Sequence, residues 1–549
     1  MSSPNHRSWL LAFILTLPAL VPLFSHFYFT QLWGRHGTGF IQYDQAYYMA
    51  NARECIDHGG LALLYKNPFD YRPETPAIYC QPQTLLLAAL LKLTSIPPWV
   101  LFVSFGWIFA CLTVRVAYSL LNEFQPLADW PSRLVFVMFI WGGGLFTLVG
   151  SLASVMAQSS EVSFYQFITV HDPFQGWWFL NLGRNLIFPM ESYYHFLFLL
   201  GALYVVRGQV NRALGIGLLL AWSHPFTGLE YLFIVAGWLW GERIFFENHK
   251  ITWLSCVLAA CMLALHVGYY KVFLPSFPAH REVHELWQLE WEYKLGAMLL
   301  GYGIVASLAL WHLRTSRHFA AFVQFEKNRF LLAWFAGAFL LANHEFFMKS
   351  VQPLHFTRGY VWIPLFLIGS PKLYEILQRT LTSPDLKRAS QITGVLGICG
   401  LVLLDNAVWL PLSSSDEGHN ALHTRLNHAE VMEVLNSQSD TTAIVVSNSS
   451  VLGYLATVST TNPVYFGHAM LTPQGQQKLG KLKQLFETGE LIPELADHNQ
   501  LLIIDQIEDR NAVRLTVDSA TIRRNYEDMG FDVQTLANTA DYSVWYCKR

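Results

Sequence analysis

The chain has 549 residues, of which 53% are hydrophobic and only 14% charged, with a formal net charge of −3. That balance excludes an ordinary soluble globule, and the near-neutral charge argues against nucleic acid or an anionic lipid surface as the partner. Several runs longer than about 18 residues are nearly free of charge, which is the pattern of bilayer-spanning helices.

The first run, "SWLLAFILTLPALVPLFSHFYFT", exceeds the apolar core of a secretion signal and lacks a small-residue cleavage pattern after it. It reads as a retained first helix over 9–30. Further helices are expected at 98–120, 134–156, 192–206, 213–223, 227–241, 251–273, 294–313, 330–347, 360–378 and 390–411, about eleven in all. A shorter apolar run at 81–94 reads as interfacial or re-entrant. No internal repeat or low-complexity tract is evident.

Basic residues fall into alternate short loops: Arg133; Arg207 and Arg212; Arg243 and Lys250; Arg314 to Arg329; Lys372 to Arg388. By the positive-inside rule these loops are cytoplasmic. The other loops, 31–97, 157–191, 274–293 and 344–359, are richer in aromatics and prolines and fall on the outer face. An odd helix count places everything after 412 there too. Beyond 412 the composition turns polar, with strand-like "TAIVVS", "LLIID" and "YSVWYC" between helical "HAEVMEVLNSQ" and "QQKLGKLKQLFETG". The expected fold class is an α-helical polytopic membrane domain (1–411, with outer loop 31–97) followed by a soluble, extracytoplasmic α/β domain (412–549). The expected setting is a plasma membrane, the bacterial inner membrane, with the N-terminus cytoplasmic.

Of the seven cysteines, Cys111, Cys256, Cys261 and Cys399 lie in apolar runs and read as packing residues. Cys55 and Cys80 share the first outer loop, and whether they pair is left open by sequence.

Four outer stretches carry ionisable groups at the membrane boundary, where burial is costly without a purpose. In "GFIQYDQAYYMANARE" (39–54), helical spacing puts Asp44, Tyr47, Tyr48 and Asn51 on one face. "VHDPFQGWWFLNLGRNLIFPMES" holds His171, Asp172, Arg184, Asn185 and Glu191. "SHPFTGLE" sets His224 at a helix break, with Glu230 following. "NHEFFMKSVQPLHFTRGY" gathers His344, Glu345, Lys349, His355 and Arg358. Each stretch alone reads as readily as a membrane-surface segment or a packing element. Together they supply carboxylates to activate a nucleophile and fixed cations to hold a phosphate.

The motif "YDQAYYMANARE", with Asp44, Tyr47, Tyr48, Ala52 and Arg53, resembles the opening of the first outer loop of GT-C glycosyltransferases. These are membrane enzymes that use polyprenyl-phosphate-linked sugars. "YCQPQTLLLAALLKLTSIPP" looks like the family's Pro-containing stretch before an interfacial helix, and "QPLHFTRGYVWIP" like its late basic segment. The resemblance implies a lipid-linked sugar donor and an acceptor that is a polysaccharide, lipid or protein, with membrane lipids around the protein. Asp44, supported by His171 and Asp172, would serve the acceptor. Arg358, with Arg184 or Lys349, would hold the donor phosphate. Tyr47, Tyr48, His224, His344, Glu345 and His355 would line the pocket. The chain departs from the family in lacking a second Asp beside Asp44, and its Pro motif is reduced to Gln-Pro-Gln. A divalent metal is therefore an open question, and no metal ligand is assigned. The rival class is a transporter or lipid flippase, for which the broken helix at "SHPFTG" speaks; a third is a scaffold that displays the tail domain.

Overall fold

A computed structural model of the chain describes residues 6–56, 61–94, 96–157, 181–284, 295–315, 319–384, 387–412, 421–438, 442–506 and 519–549. Within these, five helices are long and apolar enough to cross a membrane: Ser8–Leu32, Pro98–Phe124, Trp253–Ser276, Leu295–Arg314 and Arg388–Pro411. The longest, at 27 residues, would extend about 40 Å, more than a hydrocarbon core of about 30 Å. Helices also occupy Pro189–Val206, Val210–Ser223, Pro225–Ile244, Glu326–Ala342 and Trp362–Thr382. Among the described residues no disulfide joins Cys55 to Cys80.

The chain divides into two compact units. The first comprises Met1–Pro22, Ser104–Tyr270 and Leu289–Asp416; the second comprises Leu23–Val103, Lys271–Gln288 and Glu417–Arg549.

The first unit is helical. Its buried aromatic core includes Trp334, Trp362, Phe136 and Phe139, with Phe139 stacked on Trp362 at 6.0 Å and on Phe366 at 5.1 Å. The single helix expected over 134–156 is instead two, Trp130–Trp141 and Phe146–Ala157, and the bend between them is 69°. Glycines 142–144 allow it. A Cβ on Gly142 would lie 2.3 Å from the Met138 carbonyl, and one on Gly144 would lie 2.2 Å from that of Leu300. A helix broken in an apolar setting leaves backbone groups that need partners. The Asp405–Asn406 pair supplies them. Asp405 accepts the N–H of Thr147 (2.7 Å) and of Phe146 (3.2 Å), and Asn406 donates to the carbonyl of Trp141 (2.7 Å).

The second unit joins the outer loop to the tail. Two short strands, β1 (His36–Gly37) and β2 (His423–Thr424), pair antiparallel. A four-stranded sheet is built from β3 (Ile444–Ser447), β4 (Gln500–Gln506), β5 (Asp532–Asn538) and β6 (Tyr542–Lys548) in the order β3-β4-β6-β5. β3 and β4 are parallel and the other pairs antiparallel. Three of these strands match the apolar runs read from sequence. β5 was not anticipated: of its seven residues only Val533 is buried, so the edge strand carries no apolar alternation. The helix Gly475–Thr488 buries Leu482, Leu485 and Phe486 against the sheet's Ile444, Ile503 and Trp545.

Candidate functional site

Asp44 stands at the N-cap of the helix Gln45–Glu54 in the second unit. An aspartate there ordinarily accepts an N–H from the first turn. This one makes no such bond. Its Oδ1 lies 3.3 Å from Nε2 of His468, and its Oδ2 lies 3.4 Å from the side-chain amide of Gln42. The carboxylate is therefore held from outside its own helix, with 42% of the side chain exposed. His468, only 1% exposed, sits among the rings of Tyr43 (4.7 Å), Tyr454 (5.2 Å), Phe69 (5.5 Å) and Tyr47 (6.4 Å).

Those tyrosines are fixed and neutral. The Tyr454 hydroxyl donates to the Tyr43 carbonyl (2.9 Å), and the Tyr43 hydroxyl accepts the Ala469 N–H (2.8 Å). Burial pushes the Tyr43 phenol up to about 12, with the Asp44 charge adding to it against the Ala469 bond. Burial likewise raises the Tyr47 and Tyr454 phenols. Tyr48 turns to Phe102, stacking at 5.9 Å.

The second cluster lies in the first unit around Arg358. The turn Pro353–Phe356 and the left-handed Gly359 (φ +84°) deliver the arginine just ahead of the helix Trp362–Thr382. Its guanidinium, 5% exposed, donates to the Glu191 carboxylate. The Arg358 carbonyl lies 2.6 Å from Nε2 of His195, whose Nδ1 lies 2.8 Å from the Glu191 carbonyl. His355 stacks on Phe226 at 4.1 Å and on His224 at 6.4 Å. Burial drives the His355 imidazole well below its ordinary range, and the Arg358 charge and His224 add to this. Glu230 is fully buried, and among the described residues neither carboxylate oxygen has a hydrogen-bond partner.

The remaining candidates divide clearly. His224 caps the helix Pro225–Ile244, its Nδ1 accepting the Thr227 N–H at 3.1 Å, and stacks on Tyr194 at 4.5 Å. His344 is satisfied locally, with Nδ1 at 2.6 Å from the Leu341 carbonyl and Nε2 accepting the Val351 N–H at 2.9 Å. Glu345 is half-buried in the short helix His344–Phe346, and Lys349 is exposed in the irregular stretch after it. Arg184 is 2% exposed, bonded through Nε to Asn406 (2.7 Å) and stacked 4.8 Å over Trp409. His171 and Asp172 lie outside the described residues. Among the described residues no three His, Cys, Asp or Glu side chains gather as metal ligands.

Sequence reading passed over His468, Glu191 as the partner of Arg358, and His195. His468 carried one faint signal, a lone histidine in "VYFGHAM" beside small and aromatic residues. Its partner Asp44 lies 424 residues earlier, beyond any local periodicity.

No known family model matches this chain, and no curated protein does. Solved structures are similar to it. ArnT from Cupriavidus metallidurans bound to undecaprenyl phosphate aligns at 12% identity over 99% of this chain and 98% of that one, with a TM-score of 0.48. The apo oligosaccharyltransferase of Archaeoglobus fulgidus aligns at 10% identity over 91% and 70%, with a TM-score of 0.48. The same organism's AglB, in complex with an inhibitory peptide and a dolichol-phosphate, aligns at 12% identity over 91% and 69%, with a TM-score of 0.42.

Proposed function

We propose that the chain is a membrane glycosyltransferase that moves a sugar from a polyprenyl-phosphate donor to an acceptor on the extracytoplasmic face of a plasma membrane. The observation that carries this reading is Asp44. It opens the resembling motif, leaves its own helix uncapped and keeps its carboxylate half open to solvent. A carboxylate so placed orients an acceptor hydroxyl and takes its proton as the sugar is transferred.

Arg358 supports the donor side of the reading. A guanidinium keeps its charge at any pH and forks onto phosphate oxygens, so it stabilises the lipid phosphate as it leaves. Glu191 satisfies it when no phosphate is present. Arg184 is committed to Asn406 and Trp409, and its contribution would be to shape the site rather than to grip the phosphate. His224 and His355, stacked and buried, would form a wall of the donor pocket. No step in this account runs through a metal. The tail sheet, with the rest of the expected domain 412–549, is proposed to face the same compartment as Asp44.

The test is transfer by the purified protein in lipid nanodiscs, using a panel of undecaprenyl-phosphate-linked sugars and following undecaprenyl phosphate release. Asp44→Asn is expected to lower turnover by about 100-fold or more, and Arg358→Ala to do the same. Wild-type rates in both variants would end the enzymatic reading of these residues. The transporter reading has one observation in its favour, the buried Glu230 just beyond the helix break at His224 and Pro225. It predicts movement of the lipid-linked sugar between leaflets without release of undecaprenyl phosphate.

A further inference from the structure

We infer that His468 is the positioning residue of Asp44: its Nε2–H pins Oδ1 and leaves Oδ2 as the oxygen that accepts the acceptor's proton. The inference rests on the reading of Asp44 as the base, and its physical basis is the tautomer of one ring.

His468 Nδ1 lies 3.1 Å from the backbone nitrogen of Met470 and 3.2 Å from that of Leu471, and both N–H groups point at it. A hydrogen on Nδ1 would meet two amide hydrogens, so Nδ1 must be the lone-pair nitrogen. The ring hydrogen is therefore on Nε2, the atom that faces Asp44 Oδ1 at 3.3 Å. A second-nitrogen contact that fixes the tautomer is the same device that orients metal-bound and catalytic imidazoles.

The ring cannot turn over to exchange these roles. A half-turn about its axis would aim carbon at the two amides and at the carboxylate, and Tyr43, Tyr454 and Phe69 crowd its faces. The turn that holds it is itself closed. The His468 carbonyl accepts from the Thr472 N–H (3.0 Å) and hydroxyl (2.7 Å), and the Thr472 hydroxyl accepts the Gly467 N–H (3.3 Å).

Two consequences follow for the chemistry. With Nε2 already carrying a hydrogen, the ring cannot take a proton from Asp44, so it is a donor to the carboxylate and not a relay. The two carboxylate oxygens are also made unequal. Oδ1 is engaged by a buried donor, while Oδ2 has, among the described residues, only the long 3.4 Å contact from Gln42. Oδ2 is the oxygen free to reach a substrate hydroxyl.

The experiment compares two substitutions that each keep half of the imidazole. In His468→Gln the side-chain amide reaches the Nε2 position and can donate to Asp44. In His468→Asn the side-chain oxygen sits near the Nδ1 position and can accept from Met470 and Leu471, but nothing reaches Asp44. Positioning predicts that the Gln variant keeps kcat within about 3-fold of wild type. The Asn variant loses about 10- to 100-fold in kcat with KM little changed. The reverse order, Asn active and Gln not, would reduce His468 to a turn residue and overturn the inference.

A second readout does not need turnover. Nitrogen-15 NMR of the full-length protein labelled at histidine, with His468 assigned by its loss in His468→Gln, reports the tautomer at pH 8. A protonated Nε2 whose hydrogen resonance moves in Asp44→Ala is expected. A protonated Nδ1, or no response to Asp44→Ala, overturns the inference by itself. Should the wild-type protein release no undecaprenyl phosphate from any donor, the glycosyltransferase reading fails, while the NMR result still decides whether His468 holds Asp44.

Discussion

Asp405 accepts the backbone N–H of Thr147 at 2.7 Å across 258 residues of sequence. The carboxylate stands at the N-terminus of the helix Phe146–Ala157, where four amide hydrogens lack partners within the helix and a negative charge is favoured. Its neighbour Asn406 satisfies the carbonyl end of the preceding helix. One dipeptide thus closes both ends of a break.

Asp405→Ala removes the acceptor for two amides and is expected to cost about 2–3 kcal/mol, seen as a lower midpoint of thermal unfolding in detergent. Asp405→Asn keeps one acceptor oxygen and should lose about half as much. Gly143→Ala should be harmful for a different reason: its Cβ would stand 2.7 Å from the Asp405 Cβ. Unchanged unfolding in all three variants would mean the break is held by something else.

Under the proposed reading, Glu191 and a lipid phosphate compete for the Arg358 guanidinium, which Glu191 holds in this structure. Glu191→Gln removes the competing charge, so undecaprenyl phosphate should bind about 10-fold tighter, or about 1.4 kcal/mol. The same change leaves Arg358 without its counter-ion and should lower the thermal midpoint of the free protein. Titration of nanodisc-embedded protein with undecaprenyl phosphate gives the first quantity, and unfolding gives the second. Weaker binding in Glu191→Gln would show that the carboxylate helps the phosphate rather than opposing it.

Lys478 is 6% exposed, and its ammonium lies 4.6 Å over the Tyr71 ring and 5.3 Å over that of Tyr465. Burial brings it down to about 8 from 10.5. Below pH 8 the amine is charged in folded and unfolded chains alike, and the full penalty of burying it is felt. Between about pH 8 and 10.5 only the unfolded chain holds the proton, so stability rises with pH across that window. Lys478→Met is therefore expected to stabilise the protein at pH 7 by about 1–2 kcal/mol, after loss of the contacts to the two rings. Its advantage should shrink toward pH 10. An advantage that holds constant with pH would count against a depressed amine.

His355 predicts an effect at the other end of the pH scale. Its imidazole is buried and held below its ordinary range, so the unfolded chain takes up a proton near pH 6.5 that the folded chain refuses. That contribution to stability is present above pH 6.5 and lost progressively as the pH falls below it. His355→Phe keeps the stack on Phe226 and removes the titration. Its thermal midpoint should fall less than that of wild type between pH 7.5 and 5; an equal fall would assign the acid sensitivity to another group.

Much of this molecule is written locally in its sequence. The apolar runs fix where long helices form, because a bilayer or a core admits only backbone that satisfies itself. Runs such as "LLIID" and "YSVWYC" mark the strands of the tail sheet because both of their faces are buried. Asp44 and Arg358 were visible as charges at the ends of apolar segments, where a charge needs a reason.

What the sequence could not determine was partnership. No periodicity links Asp44 to His468, Arg358 to Glu191, or the break at 142–145 to Asp405, since each pair is separated by more than 150 residues and meets only through folding. The grouping of the first outer loop with the tail domain has the same origin, in strands of two residues too short to leave a pattern. The polar edge strand β5 went unread because only Val533 of its seven residues is buried, so no alternation betrays it. The sequence by itself determined most of the helices, three of the four strands of the tail sheet and which charges stand at their ends, because those depend on neighbours a few residues away. Which side chain each charge meets was decided by the tertiary structure alone, because a hydrogen bond depends on distance in space and is indifferent to distance along the chain.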